Sequence, residues 1–233
     1  MKLFTIPNII TLGNLLCGCL AIIFALSGDL RSGAYFVLAA GFLDFFDGFA
    51  ARVLKSHSPI GGDLDSLADM VTFGVVPGIF YYQLLSDNFV TTGEFNLFAS
   101  LGFVFTLCAA LRLAKYNVSE DQSEMFRGMP TPSATLFVIG IPFWYESDLY
   151  LLMGDKLFLF FWLFLISFLM ISNVPMFAYK FKTTSLKNNW FTYIMMVLPL
   201  LLLLTMGLKA LTILVVMYIV GSFVYFRVNK IKE

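Results

Sequence analysis

Charge is scarce in this chain. Asp, Glu, Lys and Arg supply 13% of the 233 residues, against about a quarter in soluble domains. Together with a mean hydropathy of +0.85, that shortage excludes an ordinary soluble fold. Cysteine is nearly as scarce: Cys17, Cys19 and Cys108 all fall in apolar segments. On a helix Cys17 and Cys19 would point about 200° apart, so they cannot share a metal. Neither disulfides nor zinc are indicated, and His57 is the only histidine. The formal net charge is zero, so no basic excess points to a nucleic-acid partner. Linkers, low-complexity runs and soluble insertions are also missing. Residues 1–233 are therefore expected to form a single integral membrane domain.

What the chain has instead is apolar length. Its 27 Phe gather in runs such as FLFFWLFLISF at 158–168. Eight apolar stretches, at 5–27, 32–54, 63–85, 95–116, 131–147, 157–174, 190–206 and 209–227, each approach the ~20 residues that cross the hydrocarbon core as a helix. The first carries Asn8, Thr11 and Asn14 and has no small-residue cleavage site behind it, so it is expected to be a retained span. The expected fold is an all-α polytopic bundle of about eight transmembrane helices.

Basic residues orient that bundle. With the N-terminus inside, Lys2, Arg52, Lys55, Arg112, Lys115, Arg127, Lys180, Lys182, Lys187, Arg227, Lys230 and Lys232 fall on the cytoplasmic side. Of the 15 basic residues, only Arg31, Lys156 and Lys209 fall outside, and such a bias sets topology. Outer loops carry Asp29, Asp87, Glu94, Glu146, Asp148 and Asp155. Both termini and the two longest connections, 117–130 and 175–189, are thus expected to face the cytoplasm.

Against this background residues 44–69, DFFDGFAARVLKSHSPIGGDLDSLAD, are anomalous. Asp44, Asp47, Asp65 and Asp69 stand inside apolar stretches, where a carboxylate is costly unless paired, hydrated or bound to a cation. One arginine cannot balance four carboxylates, and divalent cations accept oxygen ligands of this kind. At about 100° per residue, Asp47, Gly48, Ala51 and Arg52 all lie within about 80° of Asp44. Gly61, Asp65 and Asp69 advance by four and form a second stripe, and Pro59 with Gly61 and Gly62 lets the chain turn between them. The two stripes can face one another across a small polar cavity. Asp44, Asp47 and Asp65 can ligate metal, while Asp69 can complete a metal shell or act as general base. Gly48 and Ala51 leave room for close approach, and the planar fork of Arg52 suits phosphate oxygens.

D44-x2-D47-G48-x2-A51-R52-x8-G61-x3-D65-x3-D69 has eight fixed residues across 26 positions and resembles the signature of the CDP-alcohol phosphatidyltransferase family at every one. The resemblance implies that Asp44, Asp47 and Asp65 bind divalent metal, usually Mg²⁺ or Mn²⁺ and two ions. It implies Asp69 as the base that activates the acceptor hydroxyl, with a further role as metal ligand. Gly48, Ala51, Arg52 and Gly61 then line the CDP site, and a homodimer is expected.

Further segments, PNIITLGNLLCG at 7–18, DSLADMVTFGVVPG at 65–78, LRLAKYN at 111–117, FRGMPTPSA at 126–134 and SNVPMFAYK at 172–180, resemble the serine-accepting bacterial and archaeal branch of that family. This implies CDP-diacylglycerol and L-serine as substrates. Arg127, Arg112 and Lys115 are candidates for the serine carboxylate or for plain positive-inside anchoring, with Arg127 favoured by its constrained Gly-Pro loop. Asn8, Thr11 and Asn14 form a polar seam every three residues, placed either against the cytidine and its ribose or in helix packing. His57 is expected in solvent, and Lys180, Lys182 and Lys187 at anionic headgroups. Glycerol 3-phosphate or an inositol phosphate are alternative acceptors, but they need a further phosphate site, and the basic cluster for one looks thin. A cation transporter is a poorer fit, since the carboxylates gather on one hairpin near one face.

Overall fold

Two caps define the first hairpin. Thr5 stands at the N-cap of helix α1 (Ile6–Leu26) and accepts from the Asn8 backbone N–H, with Pro7 in the first turn, a position where a missing N–H costs nothing. Helix α1 ends at Ser27 and Gly28, the latter at φ 86°, a left-handed stop that glycine adopts without strain. Asp29 then caps helix α2 (Leu30–Val53) by accepting the Ser32 N–H at 3.0 Å. The computed structural model describes residues 3–55, 58–86, 96–118, 126–145, 147, 149–177 and 190–230.

The α1–α2 pair packs closely through small side chains. Ala21, Ala25, Ala34 and Ala40 are fully buried, the composition expected where lipid gives helices no hydrophobic reason to associate and close approach must supply the attraction. After α2 ends at Leu54 and Lys55 (φ 47°), the chain returns as one long helix in three parts. These are α3 (Gly61–Asp69), a π turn (Met70–Val75) and α4 (Val76–Leu85). Gln83 ties its far end to α1, donating to the Ala25 carbonyl at 2.9 Å.

The π turn has a cause in the sequence. Pro77 has no N–H for the Phe73 carbonyl, and its ring would crowd that carbonyl in a regular α-helix. Widening the turn relieves the crowding, and neighbouring helices satisfy the freed oxygens. Thr135 donates to the Phe73 carbonyl at 3.0 Å and Thr106 to the Gly74 carbonyl at 2.9 Å. The sequence reading treated 63–85 as an uninterrupted helix and did not anticipate the turn.

A 3₁₀ turn (Ala99–Phe103) leads into α5 (Val104–Val118). Helix α6 (Thr131–Gly140) follows and ends in a 3₁₀ turn (Ile141–Trp144). Helix α6 is central: Phe137, Val138 and Ile139 are completely buried. A short α7 (Tyr150–Met153) precedes α8 (Lys156–Ile171), which is capped by Asp155. Helices α9 (Trp190–Met206) and α10 (Ala210–Lys230) are joined by a 3₁₀ turn (Gly207–Lys209). Gly207, at φ 59°, reverses the chain, so Phe191 near the start of α9 meets Tyr225 near the end of α10 with ring centroids 5.2 Å apart.

Among the described residues, five stretches are long and apolar enough to cross a membrane: Ile6–Leu26, Leu30–Val53, Gly61–Leu85, Ala99–Val118 and Trp190–Arg227. Thr131–Trp144 and Lys156–Ile171 are shorter apolar helices. Twenty-one residues of α1 rise about 31 Å, close to the hydrocarbon thickness. Large apolar side chains face outward, with Leu157 80% and Leu204 76% exposed, as suits contact with lipid. The molecule is thus an all-α membrane bundle. One detail departs from pure helix: β1 (Phe126–Arg127) pairs antiparallel with β2 (Pro175–Met176), a contact too short to leave a period in the sequence.

Candidate active site

The two stripes meet. Asp44, Asp47 and Asp65 each offer a carboxylate oxygen within 4.8 Å of the others, and Asp44 also sits beside Asp69. Asp47 is buried, and the other three are partly so. Only further carboxylates act as charged neighbours of Asp44, Asp65 and Asp69 among the described residues. Asp65 Oδ1 and Asp69 Oδ1 are buried and have no hydrogen-bond partner among the described residues. Buried oxygens of like charge left unpaired are expensive, and a hard divalent cation supplies what this donor set lacks. The residues therefore fit a metal, and Asp44, Asp47 and Asp65 can hold one.

Helix α1 forms the opposite wall. Asn8, Thr11 and Asn14 are all buried, and each meets a residue of the α2–α3 hairpin or the π turn. Thr11 Oγ1 lies 2.7 Å from Asp47 Oδ2 and 3.0 Å from the Pro7 carbonyl. Asn8 Nδ2 donates to Ser58 Oγ at 3.1 Å and to the Leu3 carbonyl at 2.8 Å. Asn14 Oδ1 accepts from Thr72 Oγ1 at 2.9 Å. The seam is thus both helix packing and part of the site wall. Gly61 stands next to it, where a Cβ would come within 3.7 Å of Asn8 Oδ1. Gly48 lies under Arg52, whose Nη1 would be 3.5 Å from a Cβ at that position. Ala51 is half-buried and Arg52 exposed.

The three basic acceptor candidates are placed differently from one another. Arg112 is buried, donates from Nε to the Met129 carbonyl and lies 5.9 Å from the Tyr116 ring centroid. Lys115 Nζ donates to Asn173 Oδ1 at 2.7 Å. Arg127 is exposed on β1. Behind it, Gly128 at φ 79° donates to the Val174 carbonyl at 2.8 Å, and Met129 donates to the Leu169 carbonyl at 3.0 Å. A Cβ on Gly128 would press on the carbonyls of Met170 and Ser172, so only glycine fits. The 126–130 loop thereby caps the end of α8. Asn117 Nδ2 meets Ser66 Oγ at 2.8 Å, and Thr106 meets Gly74. Helix α5 therefore runs antiparallel to α3 and the π turn, and Arg112 stands near the level of Asp69. His57, Lys180, Lys182 and Lys187 lie outside the described residues.

Sequence reasoning did not single out Ser58, Ser66, Thr72, Thr106 or Thr135. Pro77, inside an otherwise continuous apolar stretch, was the available signal for the last three.

The profile of the CDP-alcohol phosphatidyltransferase family matches residues 4–171. A Bacillus subtilis protein named CDP-diacylglycerol–serine O-phosphatidyltransferase is 39% identical over 144 residues, 62% of this chain and 78% of its own length. A Helicobacter pylori protein of the same name is 30% identical over 222 residues, covering 94% of this chain and 89% of its own. One from Mycobacterium tuberculosis is 30% identical over 215 residues, 86% of this chain and 70% of its own.

Proposed function

The chain belongs to the CDP-alcohol phosphatidyltransferase family, and from that premise we propose that it transfers the phosphatidyl group of CDP-diacylglycerol to the hydroxyl of L-serine, releasing CMP. The chemistry is carried by one observation: Asp44, Asp47 and Asp65 converge within 4.8 Å, with buried oxygens of Asp65 and Asp69 unpartnered among the described residues. The acceptor rests on the relatives' shared name, on alignments reaching 94% of this chain and on how few Arg and Lys residues the sequence places near the third and fourth apolar stretches for a second phosphate.

In the proposed reaction the serine oxygen forms a bond to the β-phosphorus of CDP-diacylglycerol. The bond from that phosphorus to the bridging oxygen breaks, and CMP departs with the electron pair. Asp69 takes the hydroxyl proton. Asp44, Asp47 and Asp65, with Asp69 as a further ligand, hold Mg²⁺ or Mn²⁺, two ions in our reading. When bound, the metal neutralises the pyrophosphate and stabilises the departing phosphate charge. Gly48, Ala51 and Gly61 leave space for the CDP moiety, and Arg52 offers its fork to phosphate oxygens. Thr11 holds Asp47 in place from α1, and Asn14 borders the same cavity. Arg127, free of side-chain commitments to α8, is the favoured partner of the serine carboxylate. Arg112 and Lys115 support the loop that presents it.

The assembly we infer has eight spans and cytoplasmic termini. The positive-inside bias supports this orientation, and so does the reversal at Gly207, which divides Trp190–Arg227 into two crossings. The site then faces the cytoplasm at the cell membrane, where lipid substrate can enter sideways, and a homodimer follows from the family. The test is CMP release by purified protein given CDP-diacylglycerol, Mn²⁺ and, in turn, serine, glycerol 3-phosphate or an inositol phosphate. Serine-dependent CMP release is expected. Turnover with glycerol 3-phosphate and none with serine overturns the acceptor.

A further inference from the structure

Thr72 lies one turn beyond Asp69, outside the eight-residue motif, on the π turn. It is completely buried, as is Asn14. Its hydroxyl donates to Asn14 Oδ1 at 2.9 Å and is 3.4 Å from the Asn14 backbone carbonyl. A threonine hydroxyl has one proton to give. Given to Oδ1, it leaves the amide nitrogen as the uncommitted end of the carboxamide. Among the described residues that Nδ2 is buried without a hydrogen-bond partner, and so is Asp69 Oδ1, with Asn14 standing beside Asp69. The reverse orientation would set the Asn14 oxygen against a carboxylate oxygen, acceptor against acceptor. Space at this level is closed as well, because a Cβ on Gly18 would collide with the Thr72 side chain.

We propose that Thr72 is a positioning residue: it locks the Asn14 carboxamide with its N–H₂ toward Asp69, and that donor keeps the Asp69 carboxylate aimed at the incoming hydroxyl. The proposal rests on the reading of Asp69 as the base. A buried polar pair with one end committed and the other facing the reactive carboxylate is more than interhelical packing, which would need only the first bond. The π turn matters here because it carries Thr72 just beyond Asp69 while its freed carbonyls are satisfied elsewhere.

Thr72→Val removes the hydroxyl at nearly constant shape. In the full-length protein, with CDP-diacylglycerol, serine and Mn²⁺, kcat should fall about ten- to a hundredfold, the change that one hydrogen bond to a charged group represents. KM for both substrates should move less than about twofold, because ground-state binding is untouched. Thr72→Ser should restore kcat. Asn14→Leu should match Thr72→Val, and the double variant should lose no more than the worse single, since the two act as one unit. A drop in melting temperature with kcat unchanged would make Thr72 a packing residue and overturn the proposal. A raised KM for CDP-diacylglycerol in Asn14→Leu alone would do the same by assigning Asn14 to the nucleotide. Failure of the unsubstituted protein to release CMP with serine refutes the functional reading instead. The positioning is then read from an experimental structure of Thr72→Val. There the Asn14 carboxamide should turn away from Asp69, and an unmoved carboxamide overturns the proposal whatever the turnover.

Discussion

Removing one carboxylate from the cluster should stabilise the metal-free protein and destroy the metal's ability to stabilise it. Asp44 is the residue to change, because it neighbours Asp47, Asp65 and Asp69 together. At 4.8 Å, the upper bound on the separation of the ligand oxygens, and an effective dielectric of about 20, two unit charges repel by about 3.5 kcal/mol. Water reaching a half-buried group screens part of this, leaving on the order of 1–3 kcal/mol relieved by Asp44→Asn. For a chain of this length each kcal/mol moves the melting temperature by about 2–4 °C. In detergent with chelator, Asp44→Asn should therefore melt above the unsubstituted protein. Saturating Mg²⁺ or Mn²⁺ has the opposite bias. At a hundred times the dissociation constant a ligand stabilises the native state by about 2.7 kcal/mol, and Asp44→Asn, short of one ligand, should gain far less. The melting temperatures should cross, or nearly so, between chelator and metal, while CMP release by the variant stays low. A structural ion cluster behaves otherwise. If the unsubstituted protein melts at the same temperature with and without metal, or if Asp44→Asn is the less stable protein in chelator, the cluster is not a metal site held in tension.

Asp69→Asn should abolish CMP release while leaving much of the metal-dependent rise in melting temperature; near-normal turnover refutes Asp69 as the base. Thr135→Val should cost about 1–3 kcal/mol, because the Phe73 carbonyl loses its 3.0 Å partner and Pro77 cannot replace it; an unchanged thermal midpoint argues against this account of the π turn. Asp29→Ala should cost about 1 kcal/mol as a lost N-cap. The Ser32 hydroxyl and amide hold the Asp29 carboxyl below its usual range, so this contribution is complete above about pH 4 and is lost as pH falls through the lowered value. The two proteins should therefore converge in acid, and a gap that persists there contradicts the sign. Arg127→Ala should raise KM for serine about tenfold, with KM for CDP-diacylglycerol unchanged; equal changes in both remove Arg127 from the acceptor pocket.

The helical residues were legible because apolar length is a strong signal. The stretch read as 32–54 appears as Leu30–Val53, shifted at its start because Asp29 captures the Ser32 amide. The paired stripes were legible for a related reason. Spacings of three and four residues confine side chains to one helix face, so two carboxylate stripes joined by a short Pro-Gly turn have few places to go but toward each other. Arg112 was not legible in the same way. Its partner, the Met129 carbonyl, sits 17 residues away in an irregular loop, and no periodicity encodes such a contact. From sequence it reads as one of several inner-side basic residues, yet in the fold it is the buried clamp on the Gly128 loop.

The π turn shows most plainly where pattern reading stops. Hydropathy sees 63–85 as one apolar run, because a bulge changes hydrogen-bond register without changing composition. Pro77 is the residue that conflicts with a regular helix, but it predicts only that something must yield at the Phe73 carbonyl. Whether the helix kinks, breaks or widens depends on partners from elsewhere in the chain, and Thr135 and Thr106 are those partners. With both hydroxyls present the helix widens and continues. Asp65 and Asp69 then stay on one rigid element with the residues behind them, and Thr72 is set against α1 rather than lipid. A kink at the same place would have swung α3 away from α2 and opened the 4.8 Å cluster. The geometry of the site is thus secured partly by two threonines on α5 and α6, helices that contribute none of its carboxylates.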